Sequence, residues 1–154
     1  MHVYYCDEWS DIKKKPWNIL DERTASLCHE KKQQYTAVLT EDEKPKYIIN
    51  VTQDWVSVGF YDDRTRKYLN YDFKVMSDAK LFLRTAMHWE YEGQTDKKAS
   101  SLIIGFREDG HIAMEKRDLN TGSVEEREAK DTLEKNWDRF PEFGQYHHLC
   151  QEER

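Results

Sequence analysis

From Tyr35 onward, apolar and polar residues alternate with a period of two. The apolar sets are Tyr35, Ala37 and Leu39; Tyr47, Ile49 and Val51; Val56, Val58 and Phe60; and Leu69, Tyr71, Phe73 and Val75. Alternation sends successive side chains to opposite faces of an extended chain, so these sets predict four strands. The connections between them, Glu41 to Pro45, Gln53-Asp54 and Asp62 to Thr65, are short enough to join only antiparallel neighbours, which makes a meander. His2 to Cys6 reads as an earlier strand. Further on, Leu102, Ile104 and Phe106 alternate again, Glu108-Asp109-Gly110 turns the chain, and Ile112 and Met114 return. Asn120-Thr121-Gly122 marks another turn before a less regular strand from Ser123 to Glu128.

Three stretches follow helical spacing instead. Pro16 suits a first helical turn ahead of Trp17, Leu20, Thr24 and Leu27. Ser77 is a good N-cap for Ala79, Phe82, Leu83, Ala86 and Trp89, which share one face of a helix stopped by Gly93. Asp131 and Glu134 resemble a capping box opening a short helix with Leu133 and Trp137, ended by Pro141. The expected fold class is therefore α+β: an antiparallel meandering sheet with helices packed mainly on one face, the other face being left to solvent or a partner. The 154 residues hold no repeat, low-complexity tract or flexible linker, so residues 1–154 read as a single α+β domain.

Hydrophobic residues make up 38% of the chain and charged residues 35%, and the 13% aromatic share supplies the apolar area that a mean hydropathy of -1.00 otherwise lacks. No apolar run approaches the roughly 18 residues of a membrane helix, and Met1-His2-Val3-Tyr4-Tyr5 has no basic segment leading into an apolar one. Cys6, Cys28 and Cys150 are odd in number and widely spaced, as expected of reduced thiols in a cytoplasmic chain. The net charge is -6, with 13 acids and 12 bases up to residue 77 and 17 and 12 beyond it. That excess disfavours direct binding to nucleic acid and favours a basic partner, while the lack of a long apolar run leaves no membrane partner expected.

Chemistry-bearing patterns are sparse. The six glycines form neither a dinucleotide-binding fingerprint nor a Walker loop, and Gly59 and Gly105 fall inside strands. His147-His148-x-Cys150, completed by Cys28-His29 or Cys6, is the nearest approach to a zinc ligand set, but its spacing matches no zinc finger. A Cys-His pair built on Cys28 or Cys150 lacks an oxyanion loop or nucleophile elbow around it. Adjacent acids such as Glu108-Asp109 and Glu125-Glu126 lie at turns and on a weak strand, where acids are ordinarily solvated. No cofactor is expected. Trp89-Glu90-Tyr91-Glu92 mixes aromatics with acids, the chemistry of a surface that receives Arg and Lys, although Trp89 suits core packing as well. Trp55 should share a sheet face with Ser57 and Tyr61, opposite Val56, Val58 and Phe60.

With the segment Leu102 to Gly122 (LIIGFREDGHIAMEKRDLNTG) and the stretch Trp137-Asp138-Arg139-Phe140-Pro141-Glu142-Phe143-Gly144, the chain resembles the immunity proteins of bacterial contact-dependent growth inhibition and polymorphic toxin systems. The resemblance implies a cytosolic, non-enzymatic antitoxin that binds and neutralises a cognate toxin domain acting on nucleic acid. Charge agrees with it, because toxins of that kind need basic clefts. The residues expected at the contact are Glu108, Asp109, Glu125, Glu126, Tyr91, Glu92, Trp55 and Tyr61. The competing reading is a small metal-dependent hydrolase or nuclease using clustered carboxylates, for which no D-x-D spacing is present.

Overall fold

The computed structural model describes residues 1–154 and corrects the α+β expectation: the protein is mainly β, a single eleven-stranded antiparallel sheet with one short helix. The strands are β1 (His2–Ser10), β2 (Lys15–Leu20), β3 (Tyr35–Glu41), β4 (Lys44–Val51), β5 (Trp55–Tyr61), β6 (Lys67–Val75), β7 (Lys80–Tyr91), β8 (Lys98–Phe106), β9 (His111–Asp118), β10 (Val124–Lys130) and β11 (Trp137–Arg139). Helix α1 (Glu22–Glu30) joins β2 to β3. Across the sheet the order is β10-β9-β8-β7-β6-β5-β4-β3-β1-β2, so β3 to β10 form one unbroken meander; β11 pairs with the first residues of β7.

The expected helix from Ser77 to Gly93 is instead the longest strand, β7. A register shift explains the misreading. Phe73 pairs with Leu83 but Asp72 pairs with Thr85, so Arg84 is an extra residue in a β-bulge. The bulge resets the alternation, placing Leu81 and Leu83 before it and Ala86 after it on the same face, and a gap of three residues imitates a helical step. Phe82 lies between them on the opposite face, fully buried against Trp137 with ring centroids 4.9 Å apart. Ser77 caps nothing: it opens a tight turn whose central residues, Asp78 and Ala79, have φ of 58° and 55°.

The other two helices are corrected in the same way. Pro16 and Trp17 belong to β2, at the edge of the sheet, where the missing N–H of proline is tolerated. The helix begins only at Glu22, where the Asp21 carboxylate accepts from Thr24 N at 2.7 Å. At the Asp131 capping box only a 3-10 turn, Glu134–Asn136, precedes β11.

One sheet face carries the main core, in which Tyr35, Phe60, Phe73 and Tyr146 are fully buried. Burying each such ring contributes about 1.5–3 kcal/mol. α1 covers this face with Ala25, Cys28 and His29, and the C-terminal segment after β11 adds Phe140, Phe143, Tyr146 and Leu149. Polar groups in this layer are paired: Tyr35 Oη lies 2.7 Å from His29 Nδ1 and 3.0 Å from Tyr146 Oη. Tyr68 and Tyr71 both donate to Glu152, to its carboxylate and its carbonyl respectively.

The second face is covered only in part. β1 leaves β3 after Cys6, and the rest of the β1–β2 hairpin folds back across the sheet. Trp9 meets the edge of the Tyr61 ring, Tyr61 Oη donates to Asp11 at 2.6 Å, and Lys14 reaches Asp96 at 2.9 Å. This cover buries Cys6, Val38 and Ile48. Gly59 makes it possible, since a Cβ there would come within 3.0 Å of the Tyr61 ring. No helix is long and apolar enough to cross a membrane.

Candidate partner-binding surface

The β9–β10 hairpin lies at one margin of the sheet. Every residue of β10 is exposed, and no strand pairs with its outer side. Glu125 and Glu126 do not form one patch, because neighbours on a strand point to opposite faces. Glu125 pairs across β9 with Lys116 and shares the packed face with Leu102, whereas Glu126 pairs with Glu115 on the second face. Arg117 relieves the like-charged pair by donating to Glu115 at 2.5 Å. Glu128, on the same side as Glu126, is 3.6 Å from the His111 ring.

Glu108 and Asp109 occupy the β8–β9 turn at the other end of the same strands, beyond His111, which is itself roughly 14 Å along the strand from the Glu115–Glu126 pair at about 3.4 Å per residue. The Asp109 carboxylate accepts from His111 N at 3.0 Å and from Arg107 at 3.2 Å, and these bonds hold it below the usual carboxylate range. It therefore stays charged while fixing the turn.

Tyr91 and Glu92 lie elsewhere, where the β1–β2 hairpin meets the turns after β5 and β7. The Tyr91 hydroxyl donates to Lys67 O at 2.6 Å, and burial next to Asp11 pushes it up to about 12. Its ring carries the Arg66 guanidinium 4.8 Å above its centre, and Trp89 carries Lys98 at 4.6 Å. Lys97 approaches Glu92 at 3.6 Å. The aromatic and acidic side chains here thus receive the chain's own cations. Beside them is a recess of about 330 Å³ lined by Asp11, Lys14, Arg66, Tyr91, Asp96 and Lys98. Its basic residues are largely spoken for: Lys14 pairs with Asp96, Lys67 with Asp11, and Arg66 with Asp62 and the carbonyls of Gly93 and Thr95.

Trp55 and Tyr61 share the second face, at opposite ends of β5. Tyr61 is buried, and its hydroxyl is raised far above the ordinary range by that burial and by Asp11. Trp55 is 42% exposed and stands in line with Lys74, Phe82 and Trp137, itself 40% exposed, so two half-open indoles stand at the ends of a row that holds a lysine and a buried phenylalanine. Between the two ends runs a row of small polar side chains bonded to one another, Thr36 to Asn50 at 2.7 Å and Ser57 to Asn70 at 3.3 Å.

Nowhere do three His, Cys, Asp or Glu side chains converge in a way that could hold a metal ion. His148 lies 3.0 Å from Arg139 O, and Cys150 packs against the main core together with Cys28, while Cys6 is buried on the opposite face. Burial pushes the Cys6 thiol up to about 11 and that of Cys150 up to about 12, which makes both poor nucleophiles.

No family model, curated protein or solved structure matches this chain.

Two features of the surface leave no local trace in the sequence. The recess joins Lys14 to Asp96 across 82 residues of chain, and the unpaired side of β10 follows from the absence of a neighbour.

Proposed function

We propose that the protein works by binding another protein, as an immunity-type inhibitor that engages the basic surface of a cognate toxin domain. The observation that supports this most directly is β10, a fully exposed strand at an unpaired sheet edge that presents Glu125 to one side and Glu126 and Glu128 to the other. Between Arg107 and Asp131 carboxylates outnumber cations, so the hairpin is acidic against a nearly balanced N-terminal half. Such a field draws a basic domain into encounter and accelerates association at low salt. The aromatic pair Trp55 and Trp137 lies on the second face, which Glu126 and Glu128 also share.

The test is co-expression with a candidate toxin, the C-terminal domain of any large secreted protein whose gene is found to adjoin that of this chain. Rescue of growth and co-elution of the two proteins are expected. Failure of both with a demonstrably toxic domain would overturn the reading.

A further inference from the structure

The two margins of the sheet differ in kind. At one margin β2 carries Pro16, which has no N–H, and Asn18 with φ of 53°, so its outer backbone is interrupted. At the other, β10 runs for seven residues with no proline, no glycine and no register shift against β9. Which of its backbone groups are free follows from the bonds that bracket it. Asp118 N donates to Ser123 O at 3.0 Å before the strand, and Asp131 N donates to Gly110 O at 3.1 Å after it. Antiparallel bonding alternates residue by residue, so positions 125, 127 and 129 bond inward to β9. The N–H and C=O groups of Val124, Glu126, Glu128 and Lys130 therefore point away from the sheet with no strand opposite them.

We propose, building on the partner-binding reading above, that β10 is a docking strand to which the partner adds an antiparallel strand of its own. The side chains of the four outward-bonding residues all lie on the second face, and they set the complement. Read from its N-terminus, the added strand carries at alternate positions an acidic or neutral residue facing Lys130, two basic residues facing Glu128 and Glu126, and an apolar residue facing Val124. A second copy of this chain is a poor occupant. Symmetric pairing centred on Arg127 sets arginine against arginine and Glu126 against the second copy's Glu128, and pairing centred on Glu126 or Glu128 sets glutamate on glutamate.

The test uses a capped heptapeptide with Glu, Arg, Arg and Val at alternate positions and Thr between them, beside an analogue with the charges exchanged. The parent protein should bind the first peptide more tightly than the second, with the amides of Glu126 and Glu128 gaining protection from hydrogen exchange. Glu128→Pro removes an outward N–H together with the carboxylate but breaks no bond to β9, so it should leave the melting temperature near that of the parent while weakening the peptide by about tenfold or more, and by more than Glu128→Gln, which removes the charge alone. Glu128→Gln keeps the N–H and should retain the protection with weaker, less salt-dependent binding. Protection confined to other residues, equal affinity for the two peptides, or unchanged binding by Glu128→Pro would overturn the proposal. So would a parent dimer that Glu128→Pro converts to monomer, since the occupant would then be a second copy. The same proline variant separates this inference from the reading beneath it. A toxin domain that binds parent and variant alike refutes strand addition and keeps the inhibitor, whereas a toxin domain that binds neither refutes both.

Discussion

Asn136 Nδ2 donates to the carbonyl of Leu83 at 3.0 Å in a buried bond between residues 53 positions apart. Leu83 immediately precedes the bulged Arg84, so this amide stands in at a place where the regular ladder is interrupted. Asn136→Ala would leave a buried carbonyl without its donor, and unfolding in denaturant should show a loss of about 1–3 kcal/mol. Asn136→Asp, which offers an acceptor to an acceptor, should cost more at neutral pH than at acidic pH.

Phe82 and Leu83 are adjacent and both buried, because at this point the sheet is covered on both faces. Leu83→Ala should cost about 2–5 kcal/mol, and Phe82→Ala about 3–5 kcal/mol with loss of its packing against Trp137. Chemical denaturation of the two variants reads both losses, and a neutral result at either position would show that one face of the sheet is open there.

Reversing one glutamate at a time separates the two sides of β10. Glu126→Lys replaces the Glu126–Glu115 repulsion with an attraction, and Glu125→Lys sets two lysines against each other at Lys116. Stability should therefore move in opposite directions, up for the first and down for the second, each by no more than about 1 kcal/mol, which thermal melts would show as melting temperatures displaced to opposite sides of the parent's. Both substitutions should slow association with a basic toxin domain, most at low salt.

His29 is held below its ordinary pKa by burial, between Phe140 and Phe143 and beside Tyr35. The unfolded chain therefore takes up a proton near pH 6.5 that the folded chain resists. Stability should be at its full value above about pH 6.5 and decline as pH falls from there through the depressed folded value. His29→Gln, which cannot titrate, should flatten that part of the profile in melts across pH 5 to 8.

The sequence makes the meander legible because burial on one face writes itself as alternation. Tyr35 to Val75 contain four strands, and four strands form there, with the main core on the expected side. β7 is hidden by its bulge, which changes the spacing from two residues to three, and β2 by a proline that suits an edge strand as well as a helix start. The candidate contact residues follow the same rule. Their exposure on turns and on β10 is readable from composition, but Glu125 and Glu126 part to opposite faces, and Tyr61 is covered by a hairpin whose path no local pattern encodes.

The meander also orders events in time. From β3 to β10 each strand finds its neighbour across a short turn, and contacts of that kind form quickly because little chain must be gathered to make them. The hairpin clasp of Lys14 on Asp96 closes over 82 residues, and the Tyr68 bond to Glu152 over 84. Pulse-labelled exchange during refolding should therefore find amides in β4 to β6 protected first. The hairpin and the C-terminal segment should close afterwards, on a sheet already assembled.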